Sequence, residues 1–203
     1  MTLCRSRWRL GLLVGLGFLA ANAAAAFEVG PGRLLVATDE VRGTVFAEAV
    51  IFLLEYGPEG AVGLIVNRPL SAPLESLLPD VTGLSGRGDR AWLGGPVSPG
   101  ELLLLVHSDE PIEGASRVAP GILASRSAAT LTALLADASA PSFRAYAGYS
   151  GWGPRQLDVE LARGAWVVAP AERATVFPEQ PASLWQRLLR LFQPLRAAIQ
   201  SRS

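Results

Sequence analysis

Cysteine and histidine are almost missing from this 203-residue chain, with Cys4 and His107 the single examples of each, and lysine does not occur at all. Each scarcity removes a class of chemistry. Beyond residue 26 there is no thiol, so disulfides and thiolate nucleophiles are excluded from the remainder. One histidine cannot build a multi-histidine metal site. GGPV (Gly94–Val97) carries no lysine and no G-K-[ST] ending, so it is not a phosphate-binding P-loop. No dinucleotide fingerprint replaces it, and no cofactor is expected. Excess positive charge is also lacking. Beyond residue 26 the chain has 15 arginines against 18 acids, a net charge of −3. Such a domain has no electrostatic footprint for a nucleic-acid backbone, and no nucleic-acid partner is expected.

Long apolar runs are rare as well, and the one at the N-terminus has a particular setting. MTLCRSRWRL supplies Arg5, Arg7 and Arg9 without an acid, GLLVGLGFLA is apolar, and ANAAAA has small residues in an A-x-A pattern. That order reads as a signal peptide over residues 1–26, cleaved near Ala24–Ala26. The alternative is an uncleaved inner-membrane anchor over 10–26, although a spanning helix wants ~20 apolar residues. Cys4 precedes the apolar run, which argues against a lipoprotein. The rest is long enough to bury a full core and reads as one domain over residues 27–192, followed by a flexible basic tail at 193–203.

Along that domain, GRLLVA (Gly32–Ala37) reads as a first strand. The first half of Thr44–Tyr56 is ambiguous, with a helical turn one reading, while VIFLLEY has the branched and aromatic content of a buried strand. GPEG and AVGLIVNRP complete a hairpin over 50–69 that Pro69 should end. Residues 72–80 read as a short helix and 81–90 as a glycine-rich loop. Residues 91–108 read as strand, turn and strand, followed by a polar loop to Arg117. RVAPGILASRS offers one weak strand, Ala128–Ala138 a helix, FRAYAGYS a strand, Pro154–Gly164 a helix, and AWVVAPA a strand. Ser183–Phe192 has a serine N-cap and a stripe of Trp185, Leu188, Leu189 and Phe192. Strand pairs on short turns, interrupted by helices, indicate an α+β single domain with a mostly antiparallel sheet.

The densest cluster of distinctive residues is RAYAGYSGWGPRQLDVE (Arg144–Glu160). A nucleophile elbow needs G-x-S-x-G, but two residues after Ser150 stands Trp152, so the steric requirement fails. Taken in order, GAVGLIVNRP, LGGPV and GYSGWGPRQL, with LLVA, LLLLVHS, AWVVAPA and LWQRLL, resemble the YqgE/AlgH family (UPF0301) over residues 32–192. The resemblance implies an α+β fold with a barrel-like sheet and packed helices. On function it implies only a link, by name, with alginate regulation. Typical members look cytoplasmic and start near their first strand. An exported chain could not meet the chromosome, so cytoplasmic regulation would require a misassigned start codon.

Two readings stand for each distinctive residue. Tyr149, Trp152, Arg155 and Gln156 could rim a ligand pocket, or pack a turn that sets strand against helix. Asn67 and Arg68 could face a cleft, or cap a strand end. His107 could serve as a base, with Ser150 as nucleophile or with a nearby acid, or be a satisfied strand-terminal histidine. The C-terminal stretch could touch an anionic membrane surface through Trp185, Arg187, Arg190, Phe192 and Arg196, or dock on the sheet ahead of a basic, flexible tail at 193–203. The leading expectation is a non-enzymatic, exported domain of the cell envelope that binds a small ligand or a protein partner. The alternatives are a cytoplasmic regulator and a hydrolase-like enzyme using His107.

Export makes a direct prediction. The native protein should have an intact mass short of roughly 24–26 N-terminal residues, the length of a cleaved leader, and should fractionate with the periplasm. A full-length mass in the membrane fraction would indicate the anchor instead.

Overall fold

The computed structural model describes residues 27–200, with side chains to Phe192; the expected signal peptide and the side chain of Arg196 lie outside the described residues. Ten strands run in chain order: β1 (Arg33–Ala37), β2 (Val50–Gly57), β3 (Gly60–Ile65), β4 (Pro69–Pro73), β5 (Arg90–Leu93), β6 (Val97–His107), β7 (Ser116–Ala119), β8 (Ile122–Ser125), β9 (Phe143–Trp152) and β10 (Trp166–Pro170). The helices are α1 (Leu74–Leu77), α2 (Ala128–Ala136), α3 (Gln156–Ala162), α4 (Arg173–Val176) and α5 (Pro181–Gln200). The strands follow the order β10-β1-β2-β3-β9-β6-β8-β7, antiparallel throughout, and the sheet curls into a half-barrel. The molecule is α+β.

Strand β9 organises the sheet. One of its edges pairs with β6. The other is shared end to end, with β5 running parallel to Ala145–Ala147 and β3 antiparallel to Ser150–Trp152. At the changeover the chains approach so closely that only glycine fits. A Cβ on Gly94 would sit 2.1 Å from the Gly148 carbonyl oxygen, and one on Gly95 2.3 Å from that of Tyr149. Gly148 itself takes φ 65°, a conformation open to glycine at little cost. It also breaks the two-residue alternation of side chains. Tyr146 and Tyr149 therefore both face the inside of the curl, while Trp152 faces out.

Three cores result. Leu34, Val36, Phe52, Leu64 and Tyr146 fill the inside of the curl, and Leu184 and Leu188 of α5 close it. Leu35, Ile51, Leu53, Trp152, Leu157 and Trp166 pack beneath α3. Leu104, Val106, Leu123, Leu131 and Leu134 pack between the outer face and α1–α2. Because VIFL of β2 is buried on both faces, it reads as an unbroken apolar run. Trp185 fixes α5 further, its indole N–H donating to the Ala37 carbonyl at 2.8 Å.

Several local expectations are revised. Residues 39–49 form a 3-10 turn and successive tight turns, and strand starts only at Val50. Pro69 opens β4 instead of closing β3; β4 pairs only with β5, so its missing N–H costs no central ladder bond. Residues 116–125 make two strands, with Gly121 at φ 70° in the turn between them. The helix expected over 72–80 is reduced to one turn, since β4 takes its first residues. Helix α5 runs past the expected end at Phe192 and through Pro194.

The close approach predicts an asymmetric response to alanine. Gly95→Ala should destabilise the fold by about 2–4 kcal/mol through overpacking against backbone. Gly100→Ala, with nothing within 4 Å of its new Cβ, should change stability by less than about 0.5 kcal/mol. Urea denaturation of the two variants checks both.

Candidate functional site

Ser150 is fully buried, and its hydroxyl donates to the Gly94 carbonyl at 3.1 Å, helping to hold the glycine junction. His107 stands at the opposite end of β6, where its ring packs edge-on against Phe177 with 6.0 Å between centroids. The register pairs Val97 with Tyr149 at one end of β6 and His107 with Ile122 at the other. Along β9 the His107 N–H bonds to the Ser142 carbonyl, so at ~3.3 Å per residue the serine and histidine are roughly 25 Å apart, and they form no catalytic pair.

The other residues of the GYSGWGPRQL segment build a closed polar knot. One Glu160 carboxylate oxygen accepts both the Trp152 indole N–H at 2.9 Å and the Trp166 indole N–H at 2.8 Å. The other accepts the Gln156 amide at 2.9 Å, while the Gln156 carbonyl accepts the Gly153 N–H at 3.0 Å. Phe46 stacks on Trp152 and meets Trp166 edge-on. Tyr149 lies apart on the inner face beneath Arg126, and Arg155 is exposed with φ 59°. The four expected rim residues do not converge on one pocket. Glu160, which joins the two indoles, escaped sequence reasoning. Its signal was a carboxylate four residues after Gln156, on the same helix face.

Asn67 and Arg68 hold a loop. The Asn67 carbonyl oxygen accepts the Val50 N–H at 2.9 Å and its amide donates to the Glu48 carbonyl at 3.0 Å. Arg68 donates to the carbonyls of Val45 and Ala47. This grip keeps Glu48 at φ 60°. Burial lowers the pKa of Arg68, and the nearby Glu48 charge opposes that shift. On α5, Trp185, Leu188 and Phe192 face the sheet, so the apolar stripe is turned inward.

A cleft of about 970 Å³ opens where the start of β9 meets α4 and α5. Ser142, Arg144, Glu172, Arg173, Phe177 and Arg187 are among its lining residues. Arg144 forms its floor. The guanidinium lies 3.9 Å above the Trp92 ring centroid and 5.6 Å from that of Phe177. Its Nη2 donates to the Pro178 carbonyl at 2.8 Å, tying the α4–α5 linker to the sheet. Its Nη1 is buried without a hydrogen-bond partner, as is the hydroxyl of Tyr146 two residues on. Burial lowers the pKa of Arg144 and raises that of Tyr146, and the attraction between the two partly offsets each shift. Sequence reasoning missed Arg144 too. The clue was its place two residues before an inward-facing tyrosine, on the same face of β9.

A family model described as AlgH-like matches residues 34–195. A UPF0301 protein of Methylococcus capsulatus is 37% identical over 164 residues, spanning 78% of this chain and 89% of that one. A UPF0301 protein of Streptomyces avermitilis is 36% identical, spanning 78% and 84%. Among solved structures, the solution structure of the AlgH protein from Pseudomonas aeruginosa superposes with a TM-score of 0.67 at 26% identity, covering 78% of this chain and 86% of that one. A Corynebacterium diphtheriae protein gives 0.69 at 22% identity, over 83% and 90%, a likeness of fold.

The Glu160 knot predicts that Glu160→Ala leaves two indole N–H groups without an acceptor and costs about 2–4 kcal/mol in denaturant unfolding. In nitrogen–proton NMR spectra the indole signals of Trp152 and Trp166 should move while that of Trp92 stays. Glu160→Gln, which keeps an acceptor oxygen, should lose clearly less stability.

Proposed function

The chain belongs to the AlgH-like, UPF0301 family, and on that premise we propose that it is a non-enzymatic domain that binds a small ligand in the cleft floored by Arg144. The cleft carries the reading. Its volume falls in the range of small-molecule sites, and it lies where the start of β9 meets α4 and α5, so that strand and helices supply different side chains. Polar groups and the ring of Phe177 stand together there, the mixture that orients a ligand while burying it. The absence of a paired nucleophile and base at Ser150 and His107 favours binding over acyl-transfer chemistry. Placement in the cell envelope is part of the proposal and rests on the leader-like residues 1–26. Among the described residues no helix is long and apolar enough to cross a membrane.

A fragment screen of mixed charge, followed by nitrogen–proton NMR, tests the cleft. Bound fragments should shift the amides of Ser142, Arg144, Phe177 and Arg187 together. Ala174 lines the cleft from the exposed side of α4, so Ala174→Trp should fill the space and weaken binding at least tenfold without unfolding the protein. Shifts confined to another surface, or binding untouched by the tryptophan, would refute this site. Ester hydrolysis lost in His107→Ala would favour the enzymatic alternative.

A further inference from the structure

We infer that the ligand of this cleft is a small anion carrying a carboxylate or phosphate group, recognised by the guanidinium of Arg144 with Arg173 and Arg187 at the rim. The inference rests on the cleft being the binding site and adds the chemical class of what enters it.

Arg144 is a cation held half-buried without a counter-charge. Among the described residues no ion pair within 4.0 Å involves Arg144, Arg173 or Arg187. Taking a guanidinium out of water costs several kcal/mol in real proteins, about what a well-placed opposite charge restores. Here the compensation is partial. Two aromatic rings lie against the ion, and one carbonyl, that of Pro178, accepts from it. Such contacts stabilise an arginine, but they leave Nη1 unpaired.

Behind Arg144 lies Tyr146, wholly buried, whose hydroxyl and the guanidinium attract each other and partly offset the effect of burial on both groups. The hydroxyl and the guanidinium thus face each other beneath the cleft floor, and what Arg144 still lacks is a negative charge on the cleft side. Nη1 is closed off from the cleft and Nη2 already donates to Pro178, so Arg144 offers an entering carboxylate or phosphate its positive charge at the cleft floor. Tyr146 touches no ligand; it is a positioning residue behind Nη1.

The rim discriminates further. Three arginines and two glutamates, Glu172 and Glu179, line the cleft, leaving a local surplus of one positive charge in a domain that is otherwise acidic. Phe143 and Phe177 add apolar wall, which suits an anion attached to a flat or apolar body better than a bare ion.

Titration calorimetry and NMR on the purified protein, using benzoate, phenyl phosphate, inorganic phosphate and the neutral benzamide as probes, decide the matter. One of the two aromatic anions should bind at least tenfold more tightly than benzamide, and which one does so separates carboxylate from phosphate. The advantage should shrink as salt rises, because the rim charges are exposed to screening. Arg144→Gln removes the charge at the cleft floor and should weaken the preferred anion at least tenfold while leaving benzamide unchanged. Should that variant fail to fold, the double variant Arg173→Gln with Arg187→Gln alters exposed side chains only and should weaken the anion several-fold while leaving benzamide unchanged. Equal affinity for benzoate, phenyl phosphate and benzamide, with shifts in the cleft, would overturn the anion inference and leave the cleft standing. Anion binding with shifts elsewhere, indifferent to the double variant, would overturn the cleft and this inference with it. No binding of either aromatic anion at ~10 mM, weaker than any ordinary specific site, would also overturn it.

Discussion

The fold depends on a backbone contact with no side chain in it. Gly94 and Gly95 lie against Gly148 and Tyr149 so closely that a single methyl would strike a carbonyl. This approach lets β9 carry β6 on one edge while its other edge passes from β5 to β3. The junction is tied to β3 as well, the Ile65 N–H donating to the Gly94 carbonyl at 3.0 Å. Ser150 belongs to the same constraint, bonding to the Gly94 carbonyl from a fully buried position. A serine among glycines, suggestive of chemistry in one dimension, is in three dimensions part of a splice between strands.

The second half of that motif has an equally structural task and an indirect bearing on function. Glu160 joins the indoles of strands β9 and β10 to the start of α3. Asn67 and Arg68 do comparable work for the turns before β2, supplying side-chain partners where the backbone cannot pair with itself. The most distinctive residues thus stiffen the scaffold and do not line the cleft. The cleft draws on less conspicuous residues, such as Arg144 and Phe177, which rigid neighbours hold in place.

Sequence reasoning reached the fold class, the positions of the main strands along the chain and the inward dock of α5, because each rests on hydrophobic pattern and punctuation by glycine and proline. It failed where tertiary partners override local signals. Pro69 reads as a stop, yet a two-stranded edge tolerates it as a start. Val118 and Ile122 look like one strand until Pro120–Gly121 is recognised as a turn inside the run. For the site, the reading found residues with unusual chemistry but could not tell which were consumed by structure. That distinction lies in distances, such as the roughly 25 Å along β9 that separates Ser150 from His107. Arg144 was hidden for the opposite reason. One arginine among 18 carries no mark of being stacked between two rings.

The central strand also comes late. Every partner of β9 precedes it in the chain, with Ala61 pairing with Trp152 and Ala91 with Ala145. Until residue 152 has left the ribosome, β3, β5 and β6 each lack a neighbour, and the changeover between them does not exist. At ~5–20 residues per second of synthesis, those edges wait for several seconds. Pairings this distant in sequence also make for slow closure. The protein therefore spends its early life as an open, unfinished sheet, with strand edges that chaperones can still reach.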